Sequence, residues 1–533
     1  MYTSDLKLTH LKQIDFSKIE YDKKITYDVF RKIVLSHNFT CIYNNKLTVF
    51  TYDKNNNFAL NNVILLTKTD FTQLLLYLYV DFIKDFVRNT RKNAKSVKTF
   101  NFKLFKILSP IILAIVITLI CIPQGILFRY IIILYYSICV FIKSVFLIYG
   151  SIKLKVLRIE KPKLYINNIP KYTILVPMFK ENQETIQQTI KAVNNIDYPK
   201  NLLDVKLVLE EDDAITTLFL KNIELPNYIT PMYIPYFEPR TKPKACNIAS
   251  LFAEGEILVV FDAEDIPNNL QLLYAVETLN LHKNVDILQG CLNFYNYHTN
   301  ILTELFNVEY NIWFRIALRI FAHYNITIPL GGTSNHIKYK CLEKHGFWDS
   351  YNVTEDLELS FMANENNIKI QHLNIETKEW CVVNLKAFIK QRTRWIKGYL
   401  LTYLLHLNKK SFFNLRDFIF MHIIVGFGAF SFLLTPFLFI SAYLTTNFYI
   451  ILFLFLINNV YYFTYIFLYY ALIRKYKLKI TYTSIIALLI YPCYFILHII
   501  SAWLAFIEIF YRPFYWAKTN HLDDTKELFA INS

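Results

Sequence analysis

Residues 257–265 read ILVVFDAED and join five apolar residues directly to three acids. A short, continuous apolar run is typical of a strand that is buried on both faces, as in a parallel sheet. Ligands of open parallel sheets bind beyond the carboxyl ends of the strands. The pattern therefore predicts that Asp262, Glu264 and Asp265 lie at a sheet edge where ligands bind.

The sequence on either side of this stretch alternates strand and helix patterns. Further strands are predicted at 172–176 (YTILV) and 205–209 (VKLVL), and helices at 183–195 and 245–253. This order predicts the α/β class, with a parallel sheet covered by helices on both faces. The chain lacks the glycine-rich and Gly-x-Ser-x-Gly motifs of dinucleotide oxidoreductases, P-loop ATPases and serine hydrolases, which argues against those classes.

Three acidic clusters carry the candidate chemistry: residues 210–213 (EEDD), 262–265 (DAED) and 354–356 (TED). Carboxylates suit Mg²⁺ or Mn²⁺, and such an ion neutralises the charge that develops on a diphosphate leaving group. A carboxylate can also deprotonate an attacking hydroxyl group. Structural alternatives stay open, because acidic turns are common in solvent. Thr354 is also a good N-cap for a helix predicted to run to about residue 364.

Residues 391–395 (QRTRW) place Gln391, Arg394 and Trp395 on one face of a helix, at positions i, i+3 and i+4. Arginine and glutamine donate hydrogen bonds to phosphate, and an indole ring offers a flat face on which a sugar can stack. The alternative is an amphipathic helix at a membrane surface, where basic and tryptophan side chains are favoured.

Apolar residues make up 54% of the 533 residues and are concentrated in long runs. Runs at 107–122, 126–149, 421–444, 448–473 and 484–511 are candidates for membrane-spanning helices, the alternative being buried core helices. The last run contains Pro492 and can form one tilted helix or a bent hairpin, which leaves the side of the C-terminus open. The first run begins too late in the chain for a cleavable signal peptide.

The formal net charge of +15 is concentrated beside the apolar runs, at 84–106, 153–163 and 474–479. Basic loops stay on the cytoplasmic side, so the region 151–415 is expected in the cytoplasm. No nucleic-acid partner is expected, because the basic residues are not interleaved on a compact domain. The eight cysteines include no Cys-x-x-Cys pair, so neither a zinc site nor a disulfide framework is expected.

The order of these motifs resembles glycosyltransferase family 2, in particular its membrane-bound, cellulose-synthase-like branch of processive synthases. The motifs are Val176-Pro177 followed by Glu181, then EEDD, DAED, TED and QRTRW. Finer agreements are found at 239–247 (PRTKPKACN), 329–336 (PLGGTSNH) and 395–398 (WIKG). The resemblance covers about residues 165–410. It implies the GT-A fold, a Rossmann-like nucleotide-binding α/β sheet, in a cytosolic domain inserted between transmembrane helices.

The resemblance also implies roles for single residues. Asp356 is implied as the general base of a single displacement with inversion at the sugar carbon. Asp262 is implied as a ligand of Mg²⁺ or Mn²⁺. The usual Asp-x-Asp reads Asp-Ala-Glu here, so Glu264 and Asp265 are both candidates for the second ligand. The residues implied to bind the nucleotide-sugar are Glu181, Glu211, Lys244, Asn247, Asp262, Gln391, Arg394 and Trp395.

The implied function is that of a hexosyltransferase that moves a sugar from a nucleotide-sugar, expected to be a UDP-sugar, onto a growing β-linked polysaccharide. Two alternatives stay open: transfer of one sugar to a lipid acceptor, and a non-enzymatic membrane scaffold or transporter with a degenerate transferase domain. The expected partners are the nucleotide-sugar donor, a glycan or lipid acceptor and the lipid bilayer. The expected location is a bacterial inner membrane, crossed several times.

The expected domains are a small N-terminal α+β domain (1–105), a transmembrane hairpin (106–150), the transferase domain (165–410), C-terminal transmembrane helices (415–515) and a tail (516–533). Within the first of these, the sequence predicts a hairpin across residues 44–46 and one helix at 70–87.

Overall fold

The computed structural model describes residues 14, 18–53, 62–90, 96–153, 168–407, 414–445 and 447–515. The predicted tail 516–533 lies outside the described residues. The strands are β1 (Ile19–Glu20), β2 (Asn38–Tyr43), β3 (Lys46–Thr51), β4 (Val63–Leu65), β5 (Tyr172–Met178), β6 (Leu203–Glu210), β7 (Ile229–Ile234), β8 (Ile257–Val260), β9 (Ile266–Pro267), β10 (Val285–Phe294), β11 (Asn335–Lys338) and β12 (Lys369–Glu379).

The α-helices are α1 (Tyr27–Ser36), α2 (Lys68–Leu78), α3 (Val80–Asn89), α4 (Phe102–Cys121), α5 (Ile126–Lys153), α6 (Gln183–Asn194), α7 (Ala214–Lys221), α8 (Lys242–Ser250), α9 (Gln271–Leu281), α10 (Ile301–Ile312), α11 (Leu318–His323), α12 (Tyr339–His345), α13 (Glu355–Glu365), α14 (Leu385–His406), α15 (Leu415–Phe418), α16 (Phe427–Thr445), α17 (Phe448–Tyr476) and α18 (Tyr482–Tyr511). Segments Trp313–Ala317 and Ile419–Gly426 are π-helical.

The chain forms two compact units. Unit 1 comprises Met1–Asn93, Ile166–Glu264 and His336–Ser350. Unit 2 comprises Ala94–Tyr165, Asp265–Asn335 and Tyr351–Ser533.

Unit 1 is built around a sheet in the order β7-β6-β5-β8-β11. β5 pairs in parallel with both β6 and β8, and β6 pairs in parallel with β7. The three strands predicted from apolar runs are observed as β5, β6 and β8, which confirms the parallel α/β prediction. β7 was not predicted, because Pro231 interrupts its pattern and proline is disfavoured inside a sheet.

The N-terminal part of unit 1 holds a second sheet in the order β1-β2-β3-β4. The predicted hairpin is confirmed as β2 and β3, and Asn44 and Asn45 adopt the left-handed conformation that a tight two-residue turn needs. The prediction of one helix at 70–87 is wrong, since α2 and α3 are separate helices. The helix is interrupted at Tyr79, whose buried ring makes edge-to-face contacts with the rings of Tyr21 and Phe30.

Polar contacts join the N-terminal residues to the rest of unit 1. The guanidinium group of Arg31 donates to the carbonyl oxygens of Leu251 and Ala253, at 2.8 Å each. The amino group of Lys68 lies 2.9 Å from Asp204 and 2.6 Å from Glu254. These contacts are buried or nearly so, which indicates that the N-terminal residues are an integral part of this unit.

Unit 2 contains β10 and β12 as a parallel pair, with the short β9 antiparallel to β12. Its helices include five that are long and apolar enough to cross a membrane, within the described residues: Phe102–Cys121, Ile126–Lys153, Leu415–Thr445, Phe448–Tyr476 and Tyr482–Tyr511. Each corresponds to one predicted apolar run. The last is a single helix with Pro492 inside it, so the bent-hairpin alternative is not observed.

Candidate active site

The first part of the site is the carboxyl edge of β5 and β6 in unit 1, where Asp213 joins two loops. The backbone N–H of Lys180, after β5, donates to the Asp213 carboxylate at 2.5 Å. The N–H of Glu181 donates to the hydroxyl of Thr216 at 2.9 Å, and that hydroxyl donates to Asp213 at 2.6 Å. Asp213 also caps α7 through the N–H of Thr216. Its role is therefore to hold the loop that carries the buried Glu181 carboxyl group.

Another acid of the EEDD cluster, Glu210, is buried and paired with Lys244. The Lys244 amino group lies 2.8 Å from Glu210 and donates to the carbonyl oxygen of Phe237 at 3.0 Å. Burial raises the pKa of Glu210 and lowers the pKa of Lys244, in each case against the effect of the partner's charge. Lys244, which the sequence analysis assigned to the nucleotide, is fully enclosed by these contacts.

Glu211 and Asp212 are the exposed members of the EEDD cluster. Asp212 forms an ion pair of 2.8 Å with Arg240. The guanidinium carbon of Arg240 lies 5.1 Å from the ring centre of Phe179 and 4.9 Å from that of Tyr236. Two aromatic rings and a cation therefore flank the exposed acids at this edge. Sequence reasoning missed Arg240, although it is the second residue of the PRTKPKACN stretch.

Asp262 and Glu264 follow β8, on the loop that ends this strand. The Asp262 side chain is 34% exposed and accepts a hydrogen bond from the amino group of Lys242. Glu264 is half-buried, and its backbone carbonyl accepts from Gln188 at 3.4 Å. Asn247 lies deeper, on α8, and its amide group donates to the Trp348 carbonyl and the Ser350 hydroxyl at 2.9 Å each. The contacts of Asn247 are thus packing contacts inside unit 1.

The third acid of the DAED cluster belongs to unit 2. Asp265 is buried and accepts a hydrogen bond from the hydroxyl of Thr333. The backbone of this loop is held by Gln289, which donates to the Thr333 carbonyl at 3.1 Å and accepts from the Gly331 N–H at 2.7 Å. Within the described residues, no group of three or more histidine, cysteine, aspartate or glutamate side chains is placed to hold a metal ion. Asp262 and Glu264 nevertheless supply two hard oxygen donors of the kind that Mg²⁺ prefers.

Asp356 lies in the first turn of α13 and is half-buried. Its carboxylate accepts from the backbone N–H of Leu357 at 2.8 Å. Thr354 precedes the helix, but its side chain does not cap it. Thr354 is thus the N-cap residue by position, as predicted, but its hydroxyl donates to Asn352 at 3.3 Å instead of capping the helix. The Thr354 side chain also packs closely against Gly398, because a Cβ built there would lie 2.2 Å from the Thr354 hydroxyl oxygen.

The contact between Thr354 and Gly398 brings α13 against α14, the helix that carries the QRTRW motif. Burial is the largest cause that raises the pKa of Tyr399 on α14, and the negative charge of Asp356 is the second. Asp356 is therefore close enough to this helix to act on Tyr399 electrostatically. Gln391, Arg394 and Trp395 are each half-buried along α14. Unit 2 thus brings the TED and QRTRW motifs together.

Arg392, which the sequence analysis passed over, is the most enclosed basic residue of the QRTRW motif. It donates to both carboxylate oxygens of Glu309, at 2.8 and 2.6 Å, and the Tyr494 hydroxyl donates to the same carboxylate at 2.7 Å. Burial acts to raise the pKa of Glu309, but the charges of Arg392 and His498 and the hydrogen bonds from Tyr494 and Arg392 together lower it. The Arg392 guanidinium carbon also lies 4.7 Å from the Trp395 ring centre. Arg392 therefore contacts both Glu309 and the ring of Trp395.

Comparison with known proteins assigns the central part of the chain. Residues 170–398 match the family model for glycosyltransferase like family 2. The probable glycosyltransferase YdaM of Bacillus subtilis is 26% identical over 296 residues, which are 51% of this chain and 66% of that protein. The chain thus spans just under two thirds of the length of this relative.

Solved structures are similar at low sequence identity. The mannosyltransferase PcManGT from Pyrobaculum calidifontis, in complex with GDP-Man and Mn²⁺, is 16% identical with a TM-score of 0.45. The match covers 71% of this chain and 99% of that chain. Residues 1–349 of S. aureus TarS, in complex with UDP, are 18% identical with a TM-score of 0.33, over 50% of this chain and 73% of that chain.

The parallel sheet of unit 1 and the family match together define the class. Residues 170–398 match the glycosyltransferase like family 2 model and have the mixed α/β, Rossmann-like GT-A fold, as the motif order implied.

Proposed function

We propose that this chain is a membrane glycosyltransferase that moves a sugar from a nucleotide-sugar, expected to be a UDP-sugar, onto a growing β-linked glycan. The observation that carries the proposal is the carboxyl edge of the parallel sheet in unit 1. Loops after β5, β6 and β8 present Glu181, Glu211 and Asp262 at that edge, inside the stretch that matches the transferase family. In sheets of this type, ligands bind at that edge.

The exposed part of the edge fits a nucleotide. The rings of Phe179 and Tyr236 offer apolar faces for a base, and Glu211 offers an acceptor for its N–H groups. The partly exposed Asp262 carboxylate pairs with the Lys242 amino group, whose place a divalent cation would take. A bound Mg²⁺ or Mn²⁺ would neutralise the diphosphate leaving group. Asp265 is engaged by Thr333, so Glu264 is the better candidate for the second ligand.

On unit 2, we assign Asp356 as the general base that takes the proton of the acceptor hydroxyl as it attacks the sugar carbon. Attack from the side opposite the leaving diphosphate inverts the configuration at that carbon. The Leu357 N–H donates to one carboxylate oxygen and so helps to orient the carboxylate that would take the proton. Gln391 and Arg394 are assigned to the diphosphate, and Trp395, whose ring is in contact with the Arg392 guanidinium, is assigned to the acceptor sugar.

The second candidate is transfer of a single sugar to a lipid, which the five apolar helices favour as much as they favour polymer export. The two differ in product length. Purified protein in lipid, given Mg²⁺ or Mn²⁺ and radiolabelled UDP-sugars, should yield a ladder of glycans with one donor. A single labelled lipid would establish the second candidate instead. Absence of both transfer and nucleotide binding would contradict the proposal and leave a scaffold role.

A further inference from the structure

Three basic side chains to which no role in sugar transfer has been assigned lie in unit 2. Arg315 lies in the π-helical segment, Arg319 follows four residues later on α11, and Lys475 lies in the last turn of α17. The Arg315 guanidinium carbon is 3.9 Å from the ring centre of Tyr476, the neighbour of Lys475. The positive charge of Arg319 lies close enough to Lys475 to interact with it electrostatically. Residues Arg315, Arg319 and Lys475 are called the basic cluster below.

Two members of the basic cluster, Arg315 and Lys475, carry shielded donor atoms. One carboxylate, Glu376, accepts from Arg315 at 2.7 Å. In the part of the chain that the structure describes, the Lys475 amino nitrogen and the Nε of Arg315 are shielded from solvent and have no hydrogen-bond partner. Buried donors without partners cost free energy, which a bound acceptor would recover. Burial is the largest cause that lowers the pKa of His372 to about 3, and the charges of Arg319 and Arg315 act in the same direction.

The basic cluster also lies beside helices that qualify as membrane spans. Lys475 is on the last turn of one such helix, α17. The helix α11 packs along the final turns of another, α5, where the rings of Phe146 and Phe321 stack at 5.7 Å. Close packing continues at Gly150, because a Cβ built there would lie 2.8 Å from Ile320. The end of a membrane helix is where lipid headgroups lie, and basic groups there attract anionic lipids.

We propose that the basic cluster binds the phosphate of an anionic phospholipid headgroup. The two guanidinium groups would donate in forked geometry and the ammonium group as a point charge, the usual arrangement around phosphate. A lipid is favoured over a free anion because the exposed apolar surface of α17, with Phe467 two turns before Lys475, can take its acyl chains. This inference requires that α17 spans a membrane and does not depend on the transferase reaction.

The test uses the full chain in a mild detergent and measures thermal unfolding during lipid titration. The probes are short-chain phosphatidylglycerol, phosphatidylcholine with the same acyl chains, and inorganic phosphate. Phosphatidylglycerol should raise the melting temperature at concentrations at least about tenfold lower than either other probe, because only it combines free negative charge with acyl chains. An equal response to phosphatidylcholine, or to inorganic phosphate, would overturn the proposal.

Variants locate the effect. Combined Arg319→Gln and Lys475→Gln should weaken phosphatidylglycerol binding about tenfold or more, through loss of charge-assisted hydrogen bonds. The matched control is combined Lys477→Gln and Lys479→Gln, which removes the same charge from exposed positions near the same helix end. The control should change binding less than about twofold. Equal loss in both variants would assign the effect to general charge. If the test variant fails to fold, Lys475→Met keeps the apolar stem and gives the same comparison.

Discussion

At the residue scale, acids that look alike in sequence differ by their partners. Glu210 is buried against Lys244, and Asp213 caps a helix and holds the loop after β5. Asp262 and Asp356 are partly exposed and lie at the end of a strand and the start of a helix, which is why the chemistry is assigned to them. Asp265 is engaged by a hydroxyl group.

Asp356→Asn should lower turnover about 10²-fold or more and leave nucleotide-sugar binding nearly unchanged, since the amide keeps the shape but cannot take a proton. Single-turnover kinetics with labelled donor measures the chemical step, and equilibrium dialysis measures binding. Glu355→Gln, one residue earlier, is the matched control and should retain turnover. Equal turnover in Asp356→Asn and the parent protein would contradict the assignment of the base.

Asp262→Ala should weaken metal-dependent donor binding about tenfold or more, because a hard oxygen ligand is lost. Binding of the nucleotide-sugar is measured by calorimetry with Mn²⁺ and with a chelator. The exposed Glu224 of the same unit provides the control, and Glu224→Ala should bind as tightly as the parent protein. Should the Mn²⁺ dependence survive in Asp262→Ala, the ion is held by other residues.

At the element scale, the helices α13 and α14 are in contact through Thr354 and Gly398. A methyl group at position 398 would lie 2.2 Å from the Thr354 hydroxyl oxygen, so Gly398→Ala must push the helices apart. We expect a loss of about 1–3 kcal/mol in unfolding free energy from overpacking, with reduced turnover because Asp356 moves. Thermal unfolding and turnover measure the two effects.

Two companion variants isolate that effect. Gly428→Ala on α16 meets nothing within 4 Å and should leave both quantities unchanged or slightly raise stability, since alanine favours a helix over glycine. Combining Gly398→Ala with Thr354→Ala removes the obstructing hydroxyl and should recover part of the loss. If Gly398→Ala behaves like Gly428→Ala, the helices are not in close contact there.

At the scale of the whole molecule, a buried group of charges joins the N-terminal residues to the rest of unit 1. The Lys206 amino group lies 2.8 Å from Asp204, and that of Lys171 lies 2.5 Å from Glu254, in addition to the contacts of Lys68. Burial acts to raise the pKa of Glu254, but a hydrogen bond from His37 and the lysine charges outweigh it, and the pKa is well below its ordinary value of 4.5.

This arrangement predicts acid sensitivity. A carboxyl group whose pKa is lowered by folding contributes stability above its unfolded pKa, and this stability is lost as the pH falls through the folded pKa. The melting temperature should therefore fall as the pH is lowered from about 4.5. Glu254→Gln should cost about 3 kcal/mol at neutral pH, by leaving buried lysines without their carboxylate, and should flatten the acid response. An unchanged acid response in Glu254→Gln would assign it to other carboxyl groups.

The sequence alone was sufficient for the features that depend on neighbouring residues. The strands β5, β6 and β8, the β2–β3 hairpin and the five apolar helices follow from local apolar patterns and turn residues, which is why they are observed where predicted. The order of the motifs likewise indicated the transferase domain. Local patterns did not predict the interruption at Tyr79, where α2 ends and α3 begins. They also did not predict β7, because Pro231 interrupts its strand pattern.

Only the tertiary structure decided which polar residues are paired. Arg392 and Glu309 are 83 residues apart in the chain, and Asp265 and Thr333 are 68 apart, so no local pattern connects them. The burial of Lys244, the packing of Thr354 against Gly398 and the convergence of Arg315 with Lys475 arise in the same way. Such hydrogen bonds and ion pairs form only where the packed core brings distant segments of the chain close together. The distance between two such segments cannot be inferred from a local pattern of amino acids.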